Sequence, residues 1–107
     1  MNEIVVNESN FEKEVIKSNK PVLIDFWTVW CGPCRMLAPE LSSISEKYSN
    51  KLKVVKINVD ENENIAARFG INSIPALFYM NGNEIVKSSV GFMQQDEIEN
   101  YFGLKNL

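Results

Sequence analysis

The sequence contains no histidine. That absence removes Cys/His nucleophilic pairs, removes the usual zinc ligands other than thiolate, and leaves no side chain that titrates near neutrality at its ordinary pKa. Any chemistry sensitive to pH must come from a perturbed Cys, Asp, Glu or Lys. Cysteine is scarce as well, with two in 107 residues. Cationic side chains are too few for a phosphate backbone: 11 Lys and Arg stand against 14 Asp and Glu, a net charge of −3, whereas nucleic-acid binding rests on clustered basic residues. No nucleic-acid partner is expected. No segment approaches the roughly 18 consecutive apolar residues of a membrane-spanning helix, and the opening "MNEIVVNESN" has no basic n-region or apolar stretch of signal length. The expectation is a cytoplasmic protein that does not engage a membrane. Internal repeats, low-complexity tracts and linkers are absent too, so residues 1–107 are expected to form one domain, large enough to bury roughly two thirds of the surface of its unfolded chain.

What the chain does contain is concentrated. "DFWTVWCGPCRM", residues 25–36, holds both cysteines, both tryptophans and an aspartate within an apolar run. The preceding "PVLIDFW" is apolar on both alternating faces, which predicts a central strand buried on both sides. Pro33 suits the first turn of a helix, and Leu37, Leu41, Ile44 and Tyr48 follow as a one-sided stripe, with a kink expected at Pro39. Elsewhere "EIVV" predicts a short strand, and "SNFE" at Ser9–Glu12 a capping box that opens a helix with Phe11 and Val15 on one face. Residues 53–59 alternate as a strand, and "ENIAARFG" predicts a helix closed by Gly70. "PALFYM", Asn81-Gly82 and "EIVKSSV" predict a hairpin with a type I′ turn, and Ile98, Tyr101 and Phe102 an amphipathic helix at the end. The order βαβαβαββα implies one mixed sheet with helices on both faces.

Cys31, between a buried strand and a helix start, lies where unsatisfied backbone N–H groups favour negative charge. Cys34 is one turn on, within disulfide reach without backbone movement. Inside the helix Cys34 should be the less accessible sulfur, which makes Cys31 the attacking thiol and Cys34 the resolving one. Two bland alternatives stand beside this reading: inert core thiols, and half of a zinc site shared across a dimer. The first is disfavoured by Trp-Cys-Gly-Pro-Cys at a strand-to-helix junction, and the second by the absence of histidine and of a second CxxC. "DENEN" at residues 60–64 starts like a calcium loop but has Ile65 at the required Gly and Ile71 at the bidentate Glu. Asn7-Glu8-Ser9 matches a glycosylation acceptor only by accident if no secretion signal is present. Strand alternation sets Asp25 among apolar neighbours whichever way the strand faces, so desolvation should raise its pKa and let it take the proton from Cys34, directly or through a water. The competing reading is a buried Asp satisfied by hydrogen bonds or by Lys56.

The motifs "DFWTVWCGPC", "KINVDENENIAARFGINSIPALFYMNG" and "VGF" together resemble the thioredoxin family over nearly the whole chain. The resemblance implies an α/β thioredoxin fold, a central mixed five-stranded sheet flanked by four helices, and reduction of protein disulfides through a mixed-disulfide intermediate. No bound cofactor is implied. Electrons would come from NADPH through a flavoprotein thioredoxin reductase, although some relatives use ferredoxin-linked enzymes, and the protein would act as a monomer. Carried onto this chain, Pro75 matches the cis-proline facing the cysteines, Lys56 the lysine near the buried aspartate, and Trp30, Gly32, Pro33, Ile74, Gly91 and Phe92 the apolar rim that docks partners. Thr28, Val29, Arg35, Ala76 and Phe92 depart from the common pattern and bear on partner preference. Two alternatives stay open: a disulfide oxidase or isomerase, disfavoured because Gly32-Pro33 places no charge between the cysteines, and a non-catalytic binding subunit of the same fold.

Overall fold

The computed structural model describes residues 2–107. Its strands are β1 (Ile4–Val5), β2 (Val22–Trp27), β3 (Lys53–Asn58), β4 (Ala76–Asn81) and β5 (Glu84–Val90). The α-helices are α1 (Gly32–Lys47), α2 (Glu63–Arg68) and α3 (Gln95–Phe102), joined by a π-helical segment at Glu12–Ile16 and a 3-10 turn at Leu104–Asn106. The strands form one sheet in the order β1-β3-β2-β4-β5. β1, β3 and β2 run parallel, whereas β4 is antiparallel to β2 and to β5. This is the mixed five-stranded α/β architecture expected from the sequence.

β2 is central because both of its faces are apolar, and every residue from Val22 to Phe26 is buried. Val22, Ile24 and Phe26 pack with Val55 and Ile57 of β3 beneath Phe11, Val15 and Ile65, so the π-helical segment and α2 cover that face. Phe69 fills the same layer, with ring centroids 5.2 Å from Phe26 and 5.1 Å from Phe78. On the opposite face Leu23, Val54 and Leu77 meet Leu37, Leu41 and Ile44 of α1 and Ile98 and Phe102 of α3. Burying each such leucine contributes about 1.5 to 3 kcal/mol. α1 continues through Pro39 to Lys47. Pro39 is on the solvent side, and the Arg35 carbonyl that its missing N–H leaves without a helical donor belongs to an exposed residue, which water can satisfy.

Two local expectations differ from the structure. The π-helical segment has no capping box, because Asn7 takes the donors: its Oδ1 accepts the N–H of Ser9 at 2.8 Å, that of Asn10 at 3.3 Å and the Ser9 hydroxyl at 2.6 Å. The hairpin turn lies one residue later than the Asn-Gly signal. Asn81 pairs with Glu84 as the last rung of the ladder, leaving Gly82 and Asn83 as the turn. Gly82 has φ of 62° while no non-glycine residue among those described has positive φ, a pattern that fits a type II′ turn and not type I′. A register shift at Tyr79/Met80 leaves Val86 as the extra residue of β5.

Candidate active site

Strand register brings the separate motifs to one end of the sheet. Phe26 pairs with Ala76 and Ala76 with Val90, so the residues just beyond those pairs, Trp27, Pro75 and Gly91, lie side by side at the sheet end where the cysteine loop begins. The Ile74–Pro75 bond is cis and Pro75 is buried. The Gly91 N–H donates to the Pro75 carbonyl at 2.8 Å, tying the rim loop of Gly91 and Phe92 to the proline loop. β3 ends at the same place, with Asn58 beside Trp27, so the chain passes directly to Asp60.

Cys31 and Cys34 form a disulfide with Cα atoms 5.2 Å apart, as the helical spacing predicts. Cys31 is the N-cap of α1, and its Sγ accepts the backbone N–H of Cys34 at 3.2 Å. One of the helix's unpartnered amide donors thus points at this sulfur, and negative charge on it is favoured. Cys34 is the less exposed of the two by a small margin, 3 % against 5 % for Cys31. Position against the helix end, more than access, distinguishes them. Arg35 closes the loop from outside by donating its Nη1 to the Val29 carbonyl at 3.0 Å.

Asp25 lies beneath this loop. It shares a sheet face with Leu23, and its cross-strand neighbour Leu77 belongs to the cluster of Leu37 and Leu41. Cys34 belongs to the same buried stripe of α1, three residues before Leu37. Carboxyl and sulfur therefore occupy one layer between β2 and α1. Asp25 is 1 % exposed and its Oδ1 has no hydrogen-bond partner among the described residues. Burial pushes its pKa from 3.8 up to about 7, against the pull of the Lys56 ammonium and with a small push from the Glu3 carboxylate. Lys56 is its register neighbour on β3, and its Nζ lies 4.7 Å from the centre of the Trp27 ring.

Of the expected rim, Trp30 is 67 % and Phe92 37 % exposed. Pro33 is exposed, and Gly32, Ile74 and Gly91 are half-buried. The Trp30 indole is fixed by a bond from Nε1 to Asp60 Oδ2 at 2.8 Å. Thirty residues separate that pair, and only the sheet topology brings them together. Trp30 and Ile74 also line a groove of about 570 Å³ whose walls include Val59, Ala66, Ala67 and Ile71. No sequence signal marks this groove, because its apolar side chains come from the end of β3, from α2 and from the loop before Pro75. Among the described residues no helix is long and apolar enough to cross a membrane.

Known proteins share this geometry's sequence. The Thioredoxin family model matches residues 2–103. A thioredoxin of Haemophilus influenzae is 39 % identical over 102 residues, covering 94 % of this chain and 95 % of that protein. Thioredoxin 1 of Nostoc sp. is 50 % identical over 86 residues, 80 % of each chain, and a thioredoxin of Porphyra purpurea is 46 % identical over 94 residues, 88 % of each chain. With a cysteine pair bridged at the start of a helix, the chain belongs to the thioredoxin family, thiol-disulfide oxidoreductases that reduce protein disulfides, are recharged by a reductase and need no bound cofactor.

Proposed function

We propose that the 107 residues act as one thioredoxin domain, monomeric and cytoplasmic, which passes electrons from NADPH, through a flavoprotein thioredoxin reductase, to disulfides in other proteins. The observation that carries the site assignment is the pairing of an N-cap sulfur, Cys31, with a buried carboxyl, Asp25, in the layer of Cys34. In the dithiol form the Cys31 thiolate, favoured by the Cys34 N–H and the helix end, attacks one sulfur of the substrate disulfide. The substrate S–S bond breaks, a mixed disulfide forms on Cys31, and the first substrate sulfur leaves as a thiolate. Asp25 then takes the Cys34 proton, and the Cys34 thiolate attacks the Cys31 sulfur. The mixed disulfide breaks, the Cys31–Cys34 bond forms, and the second substrate thiolate leaves. Two electrons pass from the protein to the substrate.

Asp25 suits this role because a pKa of about 7 makes its carboxylate a stronger base than an ordinary one while leaving it available near neutral pH. Lys56 holds that value from rising further. Pro75 and Ile74 would present backbone to an extended substrate, and Trp30, Gly32, Pro33, Gly91 and Phe92 its apolar rim. The groove beyond Trp30 and Ile74 would carry the substrate residues that flank the attacked cysteine. Gly32-Pro33 places no positive charge beside Cys31, which favours the reducing direction over an oxidase or isomerase. Mixing the protein with NADPH, a thioredoxin reductase and insulin and following NADPH absorbance tests the reading. Oxidation of NADPH that requires this protein and is lost in Cys31→Ser supports it, whereas NADPH loss that persists in Cys31→Ser contradicts it.

A further inference from the structure

The groove that Trp30 and Ile74 share with α2 is walled mostly by apolar side chains and has one charged residue in its lining, Glu63. Asn72 and Ser73 complete its polar part. Glu63 is the first residue of α2 and is exposed. Of its neighbours in the acidic segment, Asp60 holds the Trp30 indole, Asn62 donates to the Asn58 carbonyl at 2.9 Å and Asn64 donates its N–H to Glu8 at 3.2 Å, while Glu61 is exposed and does not line the groove. The Glu63 carboxylate has no hydrogen bond or ion pair among the described residues. The nearest cation of α2, Arg68, points elsewhere, its guanidinium 5.2 Å from the Phe11 ring centre and its Nη2 3.3 Å from Asn83 Oδ1. Among the described residues no lysine or arginine lines the groove to offset the charge.

We infer that Glu63 is a specificity-determining residue, selecting protein disulfides whose attacked cysteine is followed or preceded, within the groove's reach, by a lysine or arginine. The inference rests on the proposed reading of the groove as the docking surface for residues flanking the disulfide. An extended peptide held at Ile74 and Trp30 lays successive side chains along the groove, where apolar ones meet Ala66, Ala67 and Ile71 and a cationic one meets a carboxylate with no competing partner. A glutamate at that place meets like charge instead. The selection acts on docking and leaves the exchange chemistry at Cys31 and Cys34 unaltered. An exposed ion pair changes the rate constant about two- to five-fold, and added salt weakens it.

The test uses the full chain, reduced beforehand and freed of reductant. Its substrates are synthetic peptides, each joined through one cysteine to a fluorescent thiol by a disulfide. Three peptides differ only in carrying Lys, Gln or Glu, and the position is scanned from two to four residues on either side of the cysteine. Dithiol and peptide disulfide react to give the protein disulfide, the peptide thiol and the fluorescent thiol, so fluorophore release reports the second-order rate constant. At one position or more, the wild type is expected to react with the Lys peptide about two- to five-fold faster than with the Gln peptide, and slowest with the Glu peptide. The spread should narrow at high salt. Glu63→Gln should bring the three rates together, and Glu63→Lys should reverse their order. An unchanged Lys-to-Glu ratio in Glu63→Gln would overturn the inference. Ala67→Phe, which fills the groove, separates docking from charge selection. If it slows all three peptides while Glu63→Gln leaves their ratio intact, docking in the groove stands and the role of Glu63 falls. If it slows none of them, both fall.

Discussion

Asp25→Asn replaces the buried carboxyl by a group of the same shape that cannot ionise. In the folded protein burial raises the Asp25 pKa from 3.8 to about 7, a change of about 3 pH units, and at about 1.4 kcal/mol per unit the ionised form costs about 4 kcal/mol. Below pH 4 the carboxyl is protonated in both folded and unfolded chains and contributes nothing. Between pH 4 and 7 the unfolded chain releases the proton while the folded chain keeps it, so wild-type stability falls by about 1.4 kcal/mol per pH unit relative to the variant. Above pH 7 both states are ionised and the difference levels off. Urea unfolding of the oxidised proteins, compared across pH 4 to 9, reads this directly. Burial pushes the Glu3 and Glu99 carboxyls up, but their hydrogen bonds outweigh it and hold both below the ordinary carboxylate range, so both pull stability down toward acid pH. The Glu99 contribution cancels in the difference between the two proteins, and that of Glu3 cancels apart from its small push on Asp25. A stability difference that stays flat from pH 4 to 9, or that shrinks as pH rises, would refute the desolvated carboxyl. The same variant should accumulate mixed disulfides during turnover, because its loss falls on the step in which Cys34 gives up a proton.

Cys34→Ser should still attack a disulfide substrate but stop as a covalent adduct on Cys31, and peptide mapping by mass spectrometry that located a stable adduct elsewhere would reject the assignment. Lys56→Met removes the ammonium that favours the Asp25 carboxylate. When Asp25→Asn is compared with its parent in that background, the pH at which the stability difference levels off should move above 7, and an unmoved plateau would discount the ammonium. Leu37→Ala opens the fully buried layer between α1 and the sheet and should cost about 2 to 5 kcal/mol in urea unfolding. A cost under about 1 kcal/mol would mean that the layer collapses around the smaller side chain.

Much of this arrangement is legible in the residues because one physical signal dominates locally. β2 reads as central since both of its faces are apolar, and Asp25 stands out there because nothing beside it is polar. The start of α1 is marked twice, by Pro33 and by the stripe from Leu37. Where two residue types compete for one task, local reading misses. Asn7 takes the Ser9 amide that Glu12 would accept in a capping box and also ties up the Ser9 hydroxyl, and the ladder rung between Asn81 and Glu84 moves the turn onto Gly82 and Asn83. The pairs that complete the site, Trp30 with Asp60 and Gly91 with Pro75, depend on strand order, and no spacing along the chain encodes them. The cis state of Ile74–Pro75 follows from the family resemblance alone, since X-Pro bonds are usually trans.

Transfer of two electrons by Cys31 and Cys34 as a couple is read by mixing the fully reduced protein with an equal amount of a protein carrying one accessible disulfide, then weighing both products by mass spectrometry after acid quenching. This chain should lose two hydrogens as the substrate gains two, the new bridge should map to Cys31 and Cys34, and with Cys31→Ser neither mass should change. A substrate reduced while both cysteines remain thiols, or an equal reaction in Cys31→Ser, would contradict transfer by the couple.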